Sequence, residues 1–476
     1  MSDTKVKKDN SELFKWNGKP SVGQVLPLAA QHVLAAVVGC VTPAILVANA
    51  ANNAGGNVDM GLLIQVSLVF AALSTLLQLY GQKIKLGSGL PVIIGVSFAY
   101  VPTMTAIAAQ AKNVDTIFGA MIIGGVVAIL VGLFIRQIRK VFPPLVIGTV
   151  ILAIGLSLYS TAVNYMAGNS SNTYEVIVEQ QGKTEALVFG SWQNWLVAFI
   201  TLMIVVLLNH YGKGLFKLAS ILIGLLCGYV VALCFGMVDF SALSSAGWFQ
   251  VPMPLAFGMK FDISAILPLA ILFLVNSIQA MGDFSATTTG GMDRLPTDDE
   301  LNGGIIGYGV SNMVGAVFGC PPTATYSQNV GIVGSTRVVA RRVFSAAAVI
   351  LLIAGLIPKF SALLRTIPQC VLGGAVASVF ASIAMTGIKL LVTEKLTYRN
   401  TTVAGLSIAI GMGVSLNEGC LNQMTESIHG ALNMSMSLES FQSIINNTFA
   451  SSPVVLATIF AVILNLILPK DKPDAQ

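Results

Sequence analysis

Residues 320–337 read CPPTATYSQNVGIVGSTR, placing the hydroxyls and carboxamides of Thr323, Thr325, Tyr326, Ser327, Gln328 and Asn329 in a chain that is otherwise strongly apolar. Left unpaired in an apolar medium, each such group would cost roughly 2–7 kcal/mol. The stretch therefore faces a cavity, water or a ligand rather than acyl chains. A second polar series, Asn276, Gln279, Asp283 and Thr287, repeats every three to four residues and so occupies one face of a helix. Asp283 is its one ionisable group. A carboxyl inside a membrane span is costly, and it lines a pathway, carries a proton or is paired structurally. The plainer reading of Asn276 and Gln279 is hydrogen bonding between helices.

The elements that must position these groups are set by composition. Hydrophobic residues are 55% of the 476, charged residues 10%, and mean hydropathy is +0.80. That profile belongs to a polytopic membrane protein, all-α, because a helix needs about 20 apolar residues to cross the hydrocarbon core. Scanning on that basis predicts about 14 spans. They fall near 25–49, 60–80, 90–110, 116–135, 144–163, 193–209, 217–237, 264–289, 303–319, 322–335, 339–357, 367–390, 401–416 and 453–469. The first twenty residues are polar and run straight into a full span, so no cleavable signal peptide is expected. With a cytoplasmic N-terminal segment, 1–24, the inner loops hold all of the 26 lysines and arginines except Lys112, Lys183, Lys260, Lys359 and Arg365. This bias orients the chain as a multi-pass protein of the cytoplasmic (inner) membrane, and it gives the basic residues a topological role that leaves no case for nucleic acid.

Two classes of chemistry find no support. Cys40, Cys227, Cys234, Cys320, Cys370 and Cys420 form no CxxC, lie mostly within spans and read as buried thiols. His32, His210 and His429 are far apart and offer no ligand spacing, so no metal is expected. Asp298, Asp299 and Glu300 read as a solvated cytoplasmic loop, and 417–452 as a long external connection.

Internal symmetry links the two polar series. Gly89-Leu90-Pro91 opens the third span and Gly319-Cys320-Pro321 the tenth. Pro143-Pro144-Leu145-Val146-Ile147-Gly148 opens the fifth, and Pro368-Gln369-Cys370-Val371-Leu372-Gly373 the twelfth. Both pairs are seven spans apart, and an odd number of crossings makes the second copy enter from the other side. The chain thus reads as two inverted repeats, 25–237 and 264–469. Spans 3 and 10 become counterparts, broken by short extended stretches that meet near the midplane.

The string from Gln328 to Arg337, QNVGIVGSTR, resembles the signature of the nucleobase-ascorbate transporter (nucleobase:cation symporter-2) family: Gln, an acidic or amide residue, any residue, Gly, four free positions, Thr, then a basic residue or Gly. The resemblance extends from Gln31-His32 through Gly95–Tyr100 and Ala280–Asp283 to Ile367-Pro368-Gln369, nearly the whole chain, and is nearest to bacterial xanthine and urate permeases. It implies a core domain of spans 1–4 and 8–11 (about 25–135 and 264–357) moving against a gate domain of spans 5–7 and 12–14 (about 144–237 and 367–469), commonly in a homodimer. It also implies a substrate site. Phe98 would stack on the base, Gln328 would pair with its edge, and Ser327 and Asn329 would support that contact. Gln279 would contribute from the eighth span, while Thr336 and Arg337 close the motif on the cytoplasmic side. Around them stand Ser97, His32, Asp283 and Tyr308.

The chain departs from the family at two positions: Gln279 replaces the usual Glu, and Tyr308 an Asp frequent in bacterial purine carriers. Neither replacement titrates as a carboxylate, which leaves Asp283, and after it His32, as proton carriers. The expected function is import of a purine base, xanthine or urate, by alternating access with cation symport and no cofactor beyond the coupling cation, a proton or sodium. Uracil, guanine or hypoxanthine transport and uncoupled facilitation are the alternatives within the class. A membrane enzyme is opposed by the lack of a paired nucleophile and base. A channel is opposed by the paired broken spans, which suit one occluded site.

Overall fold

A computed structural model describes residues 12–168, 174–178, 183–187, 189–240, 243–244, 246–417, 419–432 and 436–469. The predicted positions of Lys5, Lys7, Lys8, Lys470 and Lys472 lie outside them. The described chain is mostly helical. In order run α1 (Val22–Asn53), α2 (Met60–Tyr80), α3 (Val101–Ala111), α4 (Asp115–Leu133), α5 (Pro144–Ser157), α6 (Tyr159–Met166), α7 (Trp192–Tyr211), α8 (Ser220–Cys234), α9 (Ile263–Met292) and α10 (Asp298–Val317). Then follow α11 (Ser327–Thr336), α12 (Arg341–Gly355), α13 (Pro358–Arg365), α14 (Gln369–Leu391), α15 (Tyr398–Leu416), α16 (Asn422–Leu432), α17 (Leu438–Ile445) and α18 (Pro453–Ile467). Four strands accompany them: β1 (Ile94–Val96), β2 (Tyr174–Val178), β3 (Lys183–Leu187) and β4 (Thr323–Thr325).

Among the described residues seven helical stretches, α5 and α6 counted as one, are long and apolar enough to cross a membrane, and two further pairs qualify only across sharp bends, of 79° between α12 and α13 and 73° before α18. Proline explains both bends: Pro358 and Pro453 stand in the first turn of the second helix, where the missing N–H costs nothing but the preceding residue cannot stay helical. Of the other predicted spans, some fall on short or interrupted helices, whereas α10 and α15, of 20 and 19 residues, are long enough but too polar to pass.

The central break is the main architectural fact. β1 and β4 pair antiparallel, Ile94 opposite Thr325 and Val96 opposite Thr323. Flanking bonds extend the ladder, Ser97 N–H to Pro322 O at 3.0 Å and Tyr326 N–H to Ile93 O at 3.0 Å. Two buried strands from distant parts of the chain thus satisfy each other's backbone, which is how extended chain survives away from water. The glycines ahead of each strand, Gly89 (φ 67°) and Gly319 (φ 79°), adopt the left-handed conformation that lets the chain turn from helix into strand. Gly95 is bare for another reason: a Cβ there would come within 2.5 Å of the Tyr326 ring.

One face of α10 fastens this centre. Gly304, Tyr308 and Asn312 are spaced by four and lie one above another. Gly304 O accepts from Gln78 Nε2 at 2.7 Å, the Tyr308 hydroxyl meets that of Tyr100, and Asn312 takes Thr323 N–H on its Oδ1 at 2.7 Å while its Nδ2 donates to Thr323 O at 3.2 Å. Thr75 supports β1 from α2, accepting from Ile94 N–H at 2.9 Å.

Four expectations are corrected. Asp298–Glu300 is not a solvated loop but the first turn of α10, closed by a capping box in which Thr297 and Glu300 hold each other's backbone N–H. Glu300 is buried and takes both Nη atoms of Arg294, at 2.8 and 2.6 Å. The stretch 417–452 is largely helical, containing α16 and α17. The all-α reading also misses the β2–β3 hairpin. Finally, Cys40, Cys320 and Cys370 are buried, whereas Cys227 is half-buried and Cys234 and Cys420 are exposed.

Candidate functional site

A cavity of about 240 Å³ opens beside the β1–β4 pair. One wall is the turn after β1, with Ser97, Phe98 and Ala99. A second is the end of β4 and the start of α11, with Thr325, Tyr326, Ser327 and Gln328, and Gln279 of α9 and Gly39 of α1 complete that side. Opposite lie Ile151 and Ile154 of α5 and Ser382, Ile383 and Thr386 of α14. The lining is a sandwich of apolar surface around a few hydrogen-bonding groups, the usual build of a small-molecule site.

Each polar residue reaches the cavity for a local reason. α11 begins at Ser327, so the amides of its first turn have no intrahelical acceptor, and a half-helix N-terminus presents donors and partial positive charge. Gln328 projects exposed from that turn. Asp283, buried on α9, accepts from Thr325 Oγ1 at 2.5 Å and Ser327 Oγ at 2.8 Å. Its role in this geometry is to pin the strand-to-helix corner that carries Gln328. Tyr326 donates its hydroxyl to Val96 O at 2.8 Å, tying the same corner to β1. Phe98 is only 7% exposed and meets Phe380 of α14 edge-on, ring centroids 5.3 Å apart and 77° between planes. The Ser97 hydroxyl accepts from Ala99 N–H at 3.2 Å and caps the turn.

The remaining predicted residues stand one layer back or further. Asn329 faces α1, where Nδ2 lies 3.0 Å from His32 Nδ1 and donates to His32 O at 3.1 Å, while its Oδ1 is buried without a partner among the described residues. His32 packs on Phe344, centroids 4.6 Å apart. Tyr308 does not line the cavity, since its hydroxyl is used by Tyr100 behind the Phe98 turn. Thr336 bonds back to Ile332 O at 2.8 Å and Arg337 pairs with Asp293 at 3.0 Å, both at the far end of α11. Asn276 spends its Nδ2 on Leu272 O, and neither Asn276 nor Thr287 lines the cavity. Among the described residues no group of three His, Cys, Asp or Glu is placed to hold a metal.

Sequence reasoning gave no role to Gly39, Ser382, Thr386 or the α5 isoleucines, and none to the supports Thr75, Gln78 and Asn312. Polar residues four apart in apolar helices were the available signal for the supports, though nothing in the spacing says what they grip.

Residues 23–418 match the model of a permease family. The chain belongs to this family. It is the nucleobase-ascorbate transporter family of the sequence reading, so the protein is a multi-pass membrane permease and not an enzyme. Curated relatives include the uric acid permease PucJ of Bacillus subtilis, 35% identical over 83% of this chain and 86% of its own length. The putative purine permease CPE0397 of Clostridium perfringens is 31% identical over 94% and 90%, and the xanthine permease XanQ of Escherichia coli 29% over 96% and 94%. Among solved structures, the transmembrane domain of the cyanobacterial bicarbonate transporter BicA aligns with TM-score 0.57 at 16% identity, covering 91% of this chain and 97% of that one. Murine Slc26a9, an anion transporter, aligns with TM-score 0.59 at 13% identity, over 95% and 70%. This permease therefore has the fold of those transporter domains.

Proposed function

We propose that this permease imports an oxopurine base, xanthine or urate, through the cavity between Phe98 and Gln328. The observation that carries the reading is the pairing of an aromatic side chain with an exposed carboxamide on a half-helix N-terminus, in a cavity of about 240 Å³. That is below the ~300 Å³ at which pockets for drug-sized ligands begin and fits a two-ring base. Gln328 and Gln279 would meet the ring N–H and carbonyl edge, and the α11 amides a second carbonyl. The names of the bacterial relatives support the same substrate class.

The cavity lies between two groups of elements, β1, α9, β4 and α11 on one side and α5 and α14 on the other, and alternating access follows if these are the core (25–135, 264–357) and gate (144–237, 367–469) domains. Fourteen crossings in two inverted repeats, a cytoplasmic N-terminus in the inner membrane, and a homodimer belong to the same proposal. Proton symport would run through Asp283, whose hydroxyl partners sit on the corner that binds the base. Changing its charge would alter that corner directly.

Gln328→Glu tests the reading, because a carboxylate cannot donate and leaves a purine carbonyl facing negative charge. Uptake of labelled xanthine and urate should fall by at least about a hundredfold. Unchanged kinetics for both bases would remove Gln328 from the site. Preloading vesicles with unlabelled base should accelerate labelled uptake, which a channel would not show.

A further inference from the structure

A second polar cavity, about 400 Å³, lies at the end of the bundle opposite the Glu12–Phe14 turn. Its walls are the first two turns of α2, the helix α13, and the segment that precedes α9. Gln65 of α2 is 2% exposed, lines this cavity, and its Nε2 has no hydrogen-bond partner among the described residues. A buried amide left in that state is destabilising until something accepts from it. Arg365, exposed at the end of α13, forms no ion pair among the described residues.

The wall facing them is fixed. Gln250 N–H donates to Leu356 O at 3.1 Å, Lys359 N–H donates to Gly247 O at 3.2 Å, and the Lys359 ammonium lies 4.0 Å from the centre of the Trp248 ring. These contacts hold the Gln250 carboxamide over the cavity that Gln65 lines. Asp59 gives one carboxylate oxygen to the Leu62 N–H at 3.1 Å, capping α2, and keeps the other for a donor.

The inventory selects a ligand class. Asp59 opposes a bare anion and Arg365 a bare cation. One carboxylate, one guanidinium and two carboxamides around a polar cavity together match a planar heterocycle whose N–H groups alternate with carbonyls. We propose that this cavity is a second binding site for an oxopurine base, reached before the central one by substrate arriving from the side opposite the N-terminal segment. The assignment rests on the central cavity being a purine site.

Equilibrium binding of radiolabelled xanthine and urate to the full-length protein in lipid nanodiscs separates the two readings. The wild type should show two classes of site. Gln328→Glu should abolish the tighter class and leave the weaker. Gln65→Leu and, independently, Arg365→Ala should each weaken the second class by roughly tenfold, and raise the KM of uptake while leaving kcat unchanged. Arg365 is on the surface, so its replacement reports on the site even where the Gln65 variant folds poorly. One class of site that is lost in Gln328→Glu and intact in both other variants would overturn the second site alone. Displacement of the weaker class by chloride or acetate would make it a general anion pocket and overturn the purine assignment. No purine binding at either class would overturn both readings.

Discussion

The two strands at the centre of this permease pair with each other but are held by different chemistry. β1 is fully buried, carries only apolar side chains and glycine of its own, and is held from outside by hydroxyls alone: Thr75 on both backbone groups of Ile94 and Tyr326 on Val96 O. β4 and the corner after it are held by amide, hydroxyl and carboxylate groups: Asn312 on both backbone groups of Thr323, and Asp283 on Thr325 and Ser327. The first strand supplies a wall with an aromatic ring on it. The second supplies hydrogen-bonding groups that one carboxyl holds in place. The lesson is that two paired strands can divide labour, one supplying an aromatic wall and the other a polar network built around one carboxyl.

Asn312→Leu should break that division most severely. It strips partners from a buried N–H and C=O together, which costs about 3 kcal/mol. The protein should unfold at markedly lower temperature in detergent and lose uptake. A normal melting temperature would mean that the β1–β4 ladder holds the strand unaided.

Asp283→Asn comes next and acts on the polar side only. The amide can still accept one hydroxyl, so folding should cost about 1–2 kcal/mol. Accumulation of base should fall at least about tenfold, and the uptake that remains should no longer respond to an uncoupler. Uptake that keeps its full dependence on the proton gradient would reduce Asp283 to a bracket for the corner.

How much of this was legible depended on whether a residue's partner was near in sequence. The glycine-proline pairs at 89–91 and 319–321 announced the two breaks, because a left-handed glycine before a proline ends a helix by local sterics alone. The polar run after Pro321 had to avoid lipid, and Ser97, Phe98, Gln279, Ser327 and Gln328 do line one cavity. The α14 contribution could not be read. Ser382 and Thr386 bond back to Ser378 O and Ser382 O, each at 2.9 Å, as hydroxyls on any apolar helix do, so only the tertiary structure shows that they face the site. Tyr308 shows the same limit: correspondence with a family carboxylate put it around the site, but only the tertiary structure shows that its hydroxyl meets that of Tyr100 behind the Phe98 turn.

Thr75→Val sharpens the comparison from the apolar side. It removes the hydroxyl that accepts from Ile94 N–H while keeping the volume, at a cost of about 1–2 kcal/mol. If β1 is mainly a rigid wall, the variant should lower the melting temperature with a near-normal uptake rate and unchanged pH dependence. A shifted pH profile would show that both strands belong to one responsive network.

The smallest effect is expected where α10 starts, outside the centre. Burial pushes the Glu300 carboxyl up, but the Arg294 guanidinium and the Thr297 N–H outweigh it, so the group titrates below the usual carboxylate range. A depressed value means that the stabilisation is present above the ordinary glutamate pKa of about 4.3 and is lost as pH falls through the lower, folded-state value. Arg294 is 42% exposed, so solvent screens the pair and its worth is held to about 1 kcal/mol. Glu300→Gln should therefore lower the melting temperature slightly at neutral pH, and the gap from wild type should close on acidification below the carboxylate range. Uptake should be unaffected, because Gly304, one turn further on, still receives Gln78 and the face bearing Tyr308 and Asn312 is anchored three times over. Uptake that fell as far as in Asn312→Leu would mean instead that the grip on β4 is set by how the end of α10 is fixed, and the contrast between the two strands would then originate outside both.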